Sequence, residues 1–184
     1  MPTVAPLDLD GHCVAAVFLN NVPHFALADG AVHRLDHGHK TEQANDGLLC
    51  TFHDAANDRL LTGGEDGKVF AVKNEGSIEQ LAEAGRKWIT SVAAGPQGAI
   101  AYASGKTAHV RFADGKVKEF THPRSVEGIA FVTHPDGRQS ILARGSRLAV
   151  GDVLATARNS TVRLRFSDGG ETAPWPSTPR MRNS

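Results

Sequence analysis

The stretch RLLTGGEDGKVFAV, residues 59–72, predicts a β-hairpin. Apolar and small residues alternate on both sides of Asp66-Gly67. Asp-Gly between two alternating runs is a strong signal for a tight turn, because both central positions of a type I′ turn need a positive φ. Two other stretches have the same form: HFALADGAVHRL at residues 24–35, with Asp29-Gly30 at the turn, and AIAYASGKTAHVRF at residues 99–112, with Gly105-Lys106 at the turn.

A longer repeat contains these hairpins. An alternating apolar strand and a polar turn open each of four units, at residues 14–19, 48–53, 89–94 and 126–132. With Phe18, Phe52, Ala93 and Phe131 taken as equivalent, the intervals are 34, 41 and 38 residues, which bracket the length of a four-stranded propeller blade. The sequence thus predicts an all-β protein of about four four-stranded antiparallel β-propeller blades, near residues 11–46, 47–86, 87–124 and 125–166. The alternative is a generic β-sandwich with coincidental hairpins. Ser77–Gly85 fits either a polar outer strand or a single helical turn.

Two motifs resemble the WD-repeat (WD-40) β-propeller family. Gly11-His12 opens the first unit, as a Gly-His pair does in that family, and residues 63–70 of the second unit (GGEDGKVF) are similar to its hairpin. The Trp-Asp pair that closes the third strand is absent, since the corresponding pairs are Leu35-Asp36, Val72-Lys73 and Phe112-Ala113. The chain is therefore similar to the degenerate bacterial members of the family.

The resemblance implies structural roles for several residues. Asp29, Gly30, Asp66 and Gly67 would form the hairpin turns. His12 would join a buried hydrogen-bond network, with Asp29 as its partner, that holds neighbouring strands together. Because WD-repeat proteins mostly serve as platforms, the implied function is a non-catalytic protein–protein interaction scaffold with an unidentified protein partner.

Composition excludes several classes. The 184 residues include 20 basic and 20 acidic side chains, and this balance argues against a nucleic-acid-binding module. The N-terminus lacks the features of a signal peptide, and no apolar run is long enough for a membrane span. Cys13 and Cys50 lie in apolar runs and do not suggest a disulfide framework. We expect a cytoplasmic protein with no membrane partner.

The end of the chain differs in composition. Residues 124–184 contain no lysine and nine arginines, and the Pro-rich residues 167–184 are typical of a disordered tail. About four blades is the lower end of what closes a propeller. Our hypotheses are a truncated gene product or an incomplete ring that self-associates to close.

One cluster suggests chemistry. His33, Asp36, His37 and His39 lie within seven residues, and imidazole nitrogens suit zinc, nickel or copper. The alternative function is therefore a small metal- or ligand-binding protein that uses loop 33–39. A polar loop at the edge of a blade explains the same residues, and we expect no cofactor.

The run TGGEDG lacks the GK[ST] ending and the helix of a phosphate loop, and no nucleophile motif surrounds the serines, so we expect no enzymatic activity.

Overall fold

The computed structural model describes residues 7–142, 148–149 and 152–156. These residues form fifteen β-strands and one short 3-10 turn, Pro96–Gly98. In these ranges no helix has the length and apolar character needed to cross a membrane. Ser77–Gly85, for which two interpretations were open, contains a strand.

The first three units each fold into a four-stranded antiparallel sheet in which consecutive strands are neighbours. The first sheet contains β1 (Cys13–Leu19), β2 (Val22–Leu27), β3 (Ala31–Leu35) and β4 (His39–Gln43). The second contains β5 (Leu48–Asp54), β6 (Arg59–Gly64), β7 (Lys68–Lys73) and β8 (Ile78–Glu83). The third contains β9 (Ser91–Ala94), β10 (Ile100–Ser104), β11 (Thr107–Arg111) and β12 (Val117–Thr121).

The fourth unit departs from this order. Its described strands are β13 (Ala130–Thr133), β14 (Gln139–Ile141) and β15 (Val153–Thr156), and β13 lies between the other two. The chain therefore returns to the far edge of β13 instead of extending the sheet beyond β14. The expected turn at Asn159-Ser160 and the expected tail, residues 167–184, lie outside the described residues.

Apolar side chains fill the spaces between consecutive sheets. Between the first and second sheets, Leu19 and Ala26 pack with Leu60 and Val72. The next two clusters contain Leu61, Val69, Ile89 and Val92, and then Ala101, Val110, Ile129 and Phe131. Each sheet thus packs face to face with the next. Truncating a fully buried leucine in these layers to alanine typically costs about 2–5 kcal/mol.

The turns between the second and third strands differ from the expected type I′ form. At Asp29-Gly30 and Asp66-Gly67 positive φ is confined to the glycine, at +92° and +74°. Each aspartate instead accepts a hydrogen bond from the backbone N–H two residues later, over 3.0 and 3.1 Å. The type I′ form occurs at Asn20-Asn21, where both residues have positive φ.

The segment that leaves each of these sheets packs against the sheet's own central turn. Ala44 N–H donates to the carbonyl of Gly30, and Ala84 N–H donates to that of Gly67. In the third sheet His122 N–H donates to Lys106. The same backbone contact therefore occurs three times, and it fixes the start of the next sheet against the turn.

Candidate functional site: the outer face of the first sheet

The two faces of the first sheet have different environments. Because side chains of a strand alternate between faces, Ala15, Val17 and Leu19 of β1 point to the second sheet, where they join its apolar cluster. Ala16 and Phe18 point the opposite way, and both are exposed. Phe18 is 67% exposed, an unusual state for a phenylalanine in the first strand of a packed sheet.

Register defines the rest of this outer face. Ala16 pairs with Phe25, Phe25 pairs with His33, and His33 pairs with Thr41. Directly opposed residues share a face, so these four side chains form a row across the sheet. Phe18, opposite Pro23, lies beside this row. We call these six residues and Leu35, which shares the face of His33, the outer face.

A histidine pair ends the row. The Nδ1 of His33 lies 2.6 Å from the Nε2 of His39, and the Oγ1 of Thr41 lies 3.2 Å from the same Nδ1. Leu35 pairs with His39 across the β3–β4 hairpin, so the turn brings both rings to the outer face. His33 is buried there and His39 is exposed. The short contact between nitrogens requires one ring to donate its N–H to the other.

The structure does not bring the four expected metal ligands together. The guanidinium of Arg34 binds the carboxylate of Asp36. The ring of His37 lies 3.5 Å from that carboxylate and is 99% exposed. In the described ranges no three His, Cys, Asp or Glu side chains are grouped as a metal site. Of the four expected residues, the β3–β4 turn directs only His33 and His39 to one face.

His12 also differs from the expectation. Its side chain is exposed, and its backbone carbonyl, not its ring, accepts a hydrogen bond from Ala28 N–H over 2.9 Å. His12 precedes β1 and lies outside the packed layer, so its ring does not join a buried network in the described structure.

The connection between the first two sheets depends on Asn45, a residue that sequence reasoning missed. Asn45 is 1% exposed, and its Nδ2 donates to the carboxylate of Asp66 over 3.0 Å and to the carbonyl of Lys68 over 3.2 Å. The Asp66 carboxylate also accepts the N–H of Asp46 over 3.2 Å. Asp66 thus fastens the linker of the first sheet to the turn of the second. The Asn-Asp-Gly sequence at residues 45–47 indicated a turn but not its partner.

Burial favours the neutral form of three ionisable side chains within the sheets, His24, His109 and Cys50. Burial, the main cause, lowers the pKa of His24, and it lowers the pKa of His109 despite the nearby Glu119. Burial also raises the pKa of the Cys50 thiol to about 12. A thiol that stays protonated is a poor nucleophile. His109 stacks on Tyr102, with ring centroids 4.7 Å apart, and fills the layer between the second and third sheets.

Three solved structures resemble this arrangement. U3-55K matches with a TM-score of 0.54 and 9% identity over 73% of this chain and 53% of that chain. The computationally designed Ika4 protein matches with a TM-score of 0.53 and 17% identity over 77% of this chain and 98% of that one. Streptogramin B lyase matches with a TM-score of 0.52 and 13% identity over 94% of this chain and 67% of that one.

U3-55K and streptogramin B lyase are β-propeller-like, and several four-stranded antiparallel sheets make up the described part of this chain. The chain has a β-propeller fold. No family model matches the sequence, and no curated protein matches it. The chain spans about half the length of the U3-55K chain it matches. Its sheets are hereafter called blades.

Proposed function

We propose that this protein is a non-catalytic protein–protein interaction scaffold of the WD-repeat type, and that the outer face of blade 1 is its binding surface. The observation that carries the proposal is the exposure of Phe18, at 67%. Its neighbour Val17 packs against blade 2. Burying a phenylalanine side chain contributes about 1.5–3 kcal/mol, and this contribution is available to a partner.

A second copy of the chain is the partner that we propose. In each of the three described interfaces between blades, one apolar face covers another. The outer face of blade 1 also carries small and apolar side chains, among them Ala16, Phe18 and Phe25. A further blade would therefore fit it.

Light scattering coupled to size exclusion tests the proposal. We expect the full chain at about 50 μM to have twice its own mass of 19.5 kDa, and Phe18→Lys to have the single mass, because a charge in a dry interface is costly. The matched control is Phe120→Lys. Phe120 is 51% exposed, on the outermost strand of blade 3, and this variant should keep the double mass.

Three results would contradict the proposal. A wild-type monomer would exclude self-association, and a dimer unaffected by Phe18→Lys would place the interface elsewhere. Equal disruption by both lysine variants would show that the effect is not specific to the outer face.

A further inference from the structure

A small cavity lies between blades 1 and 2. Its volume is about 80 Å³, and His24 of β2, Val32 of β3 and Val72 of β7 form its inner wall. Since one water molecule takes about 30 Å³ in the liquid, the cavity has room for two or three waters or for about five non-hydrogen atoms of a ligand.

The inner wall holds a hydrogen-bond acceptor with no partner. His24 is 0% exposed, and its Nδ1 lies 2.9 Å from the carbonyl oxygen of Val22. A carbonyl only accepts, so Nδ1 carries the proton and Nε2 of the neutral ring has a lone pair. In the described structure this buried Nε2 has no hydrogen-bond partner. The backbone carbonyl of Asn74, a second acceptor, also lies near the ring. An occupant must therefore donate hydrogen bonds.

The rim of the cavity carries charges of both signs. Lys40 and Glu42 lie two residues apart on β4, opposite Arg34 and Val32, so both share the face that lines the cavity. Within the described residues neither Lys40 nor Glu42 has an ion-pair partner, whereas Arg34 binds Asp36 and the carbonyl of Asn74. Glu75, the other acid of the rim, binds the hydroxyl of Ser77.

We propose that this cavity binds a small zwitterion of the amino-acid type. Its ammonium group would donate to the Nε2 of His24 and to Glu42, and its carboxylate would bind Lys40 beside Arg34. A simple cation fits less well, because it would lie near Arg34 and Lys40 and has no negative group that could bind them. A simple anion would leave the Nε2 without a donor.

Nitrogen-detected NMR of the imidazole rings, with glycine as the probe, tests this assignment. The His24 signal is identified by its loss in His24→Gln. Glycine should shift the Nε2 resonance of His24 saturably, with a Kd near about 1 mM. Glu42→Gln and Lys40→Gln should each weaken binding about tenfold, the effect of one charge-assisted hydrogen bond. Both residues are exposed on β4, so these variants should fold normally.

Glu83→Gln, on the outermost strand of blade 2, is the matched control and should bind glycine like the wild type. An unchanged His24 resonance at about 100 mM glycine, a hundredfold above the expected Kd, would show that the cavity holds water only. Methylammonium or acetate binding as tightly as glycine would also overturn the proposal, since recognition would then not require both charges.

Discussion

The tripeptide Asp-Gly-Lys occurs in two turns of this protein, at residues 66–68 and 114–116, and the two copies should respond differently to one substitution. Both glycines have positive φ, +74° for Gly67 and +82° for Gly115. Each donates its N–H to the carbonyl three residues earlier, and each aspartate accepts the N–H of the lysine over 3.1 Å. The local geometry of the two turns is thus the same.

Their surroundings are not the same. A Cβ added at Gly67 would lie 2.0 Å from the carbonyl oxygen of Gly85 and 2.9 Å from that of Lys87, whereas one added at Gly115 would have no atom within 4 Å. The segment from Gly85 to Ile89 would have to move away from the turn. That movement threatens the hydrogen bond from Ala84 N–H to the Gly67 carbonyl and the one from Ile89 N–H to the Gly64 carbonyl.

We therefore expect Gly115→Ala to cost about 1–2 kcal/mol, the cost of a left-handed backbone for an L-residue. Gly67→Ala should cost about 2–5 kcal/mol, because the loss of one or two buried backbone hydrogen bonds adds roughly 1–3 kcal/mol to the same backbone cost. Urea denaturation followed by far-UV circular dichroism would measure both. Values for the two variants that agree within about 0.5 kcal/mol would refute the reasoning, since the close approach would then contribute nothing.

Three other predictions follow from individual side chains. Asp66→Ala should cost about 2–4 kcal/mol because it removes the acceptor for Asn45 and for two backbone N–H groups. Asp114 is exposed and binds Lys116, two residues later, so Asp114→Ala should cost much less; equal costs for the two variants in urea denaturation would contradict this. The free energy of unfolding should be level above about pH 7 and decrease as the pH falls below about 6.5, because the unfolded chain protonates at His24 more readily than the folded one. His24→Gln should make the free energy of unfolding less dependent on pH below about 6.5, and an unchanged pH dependence in this variant would refute the role of His24. At pH 8 iodoacetamide should modify the exposed Cys13 and spare Cys50, whose thiol has a pKa of about 12. Intact mass spectrometry should therefore show one adduct, and the rapid formation of two adducts would refute the protection of Cys50.

The sequence predicted the strands and turns of the first three blades because both signals are local. Alternation and Asp-Gly turns depend on neighbours only a few residues away. The role of Asp66 could not be predicted in this way, since Asp114 has the same local sequence. The contacts with Asn45 and with the N–H of Asp46, twenty-one and twenty residues earlier, separate Asp66 from Asp114.

The candidate sites were predicted less well, because each depends on which face a strand presents. The dense His33–His39 cluster was visible in the sequence, but the turn brings only the two rings of His33 and His39 together. His24 gave no such signal: a histidine within an alternating strand fits an exposed position as well as a buried one. Its burial follows from the β2 register, which places it on the side of Ala26, facing blade 2.

The strand register also changes which residues of blades 1 and 2 are equivalent, and this affects the interpretation of Phe18. Phe18 and Phe52 were aligned as equivalent, but Phe52 pairs with Leu61 and Phe18 pairs with Pro23. Counted from the central turns, Leu61 corresponds to His24, so the true counterpart of Phe52 is Val17. A shift of one residue moves a side chain to the opposite face. Phe52 and Val17 therefore pack toward the next blade, and Phe18 points away from it. Packing within the described blades therefore leaves the Phe18 side chain exposed, and it is this side chain that the proposed second copy would cover.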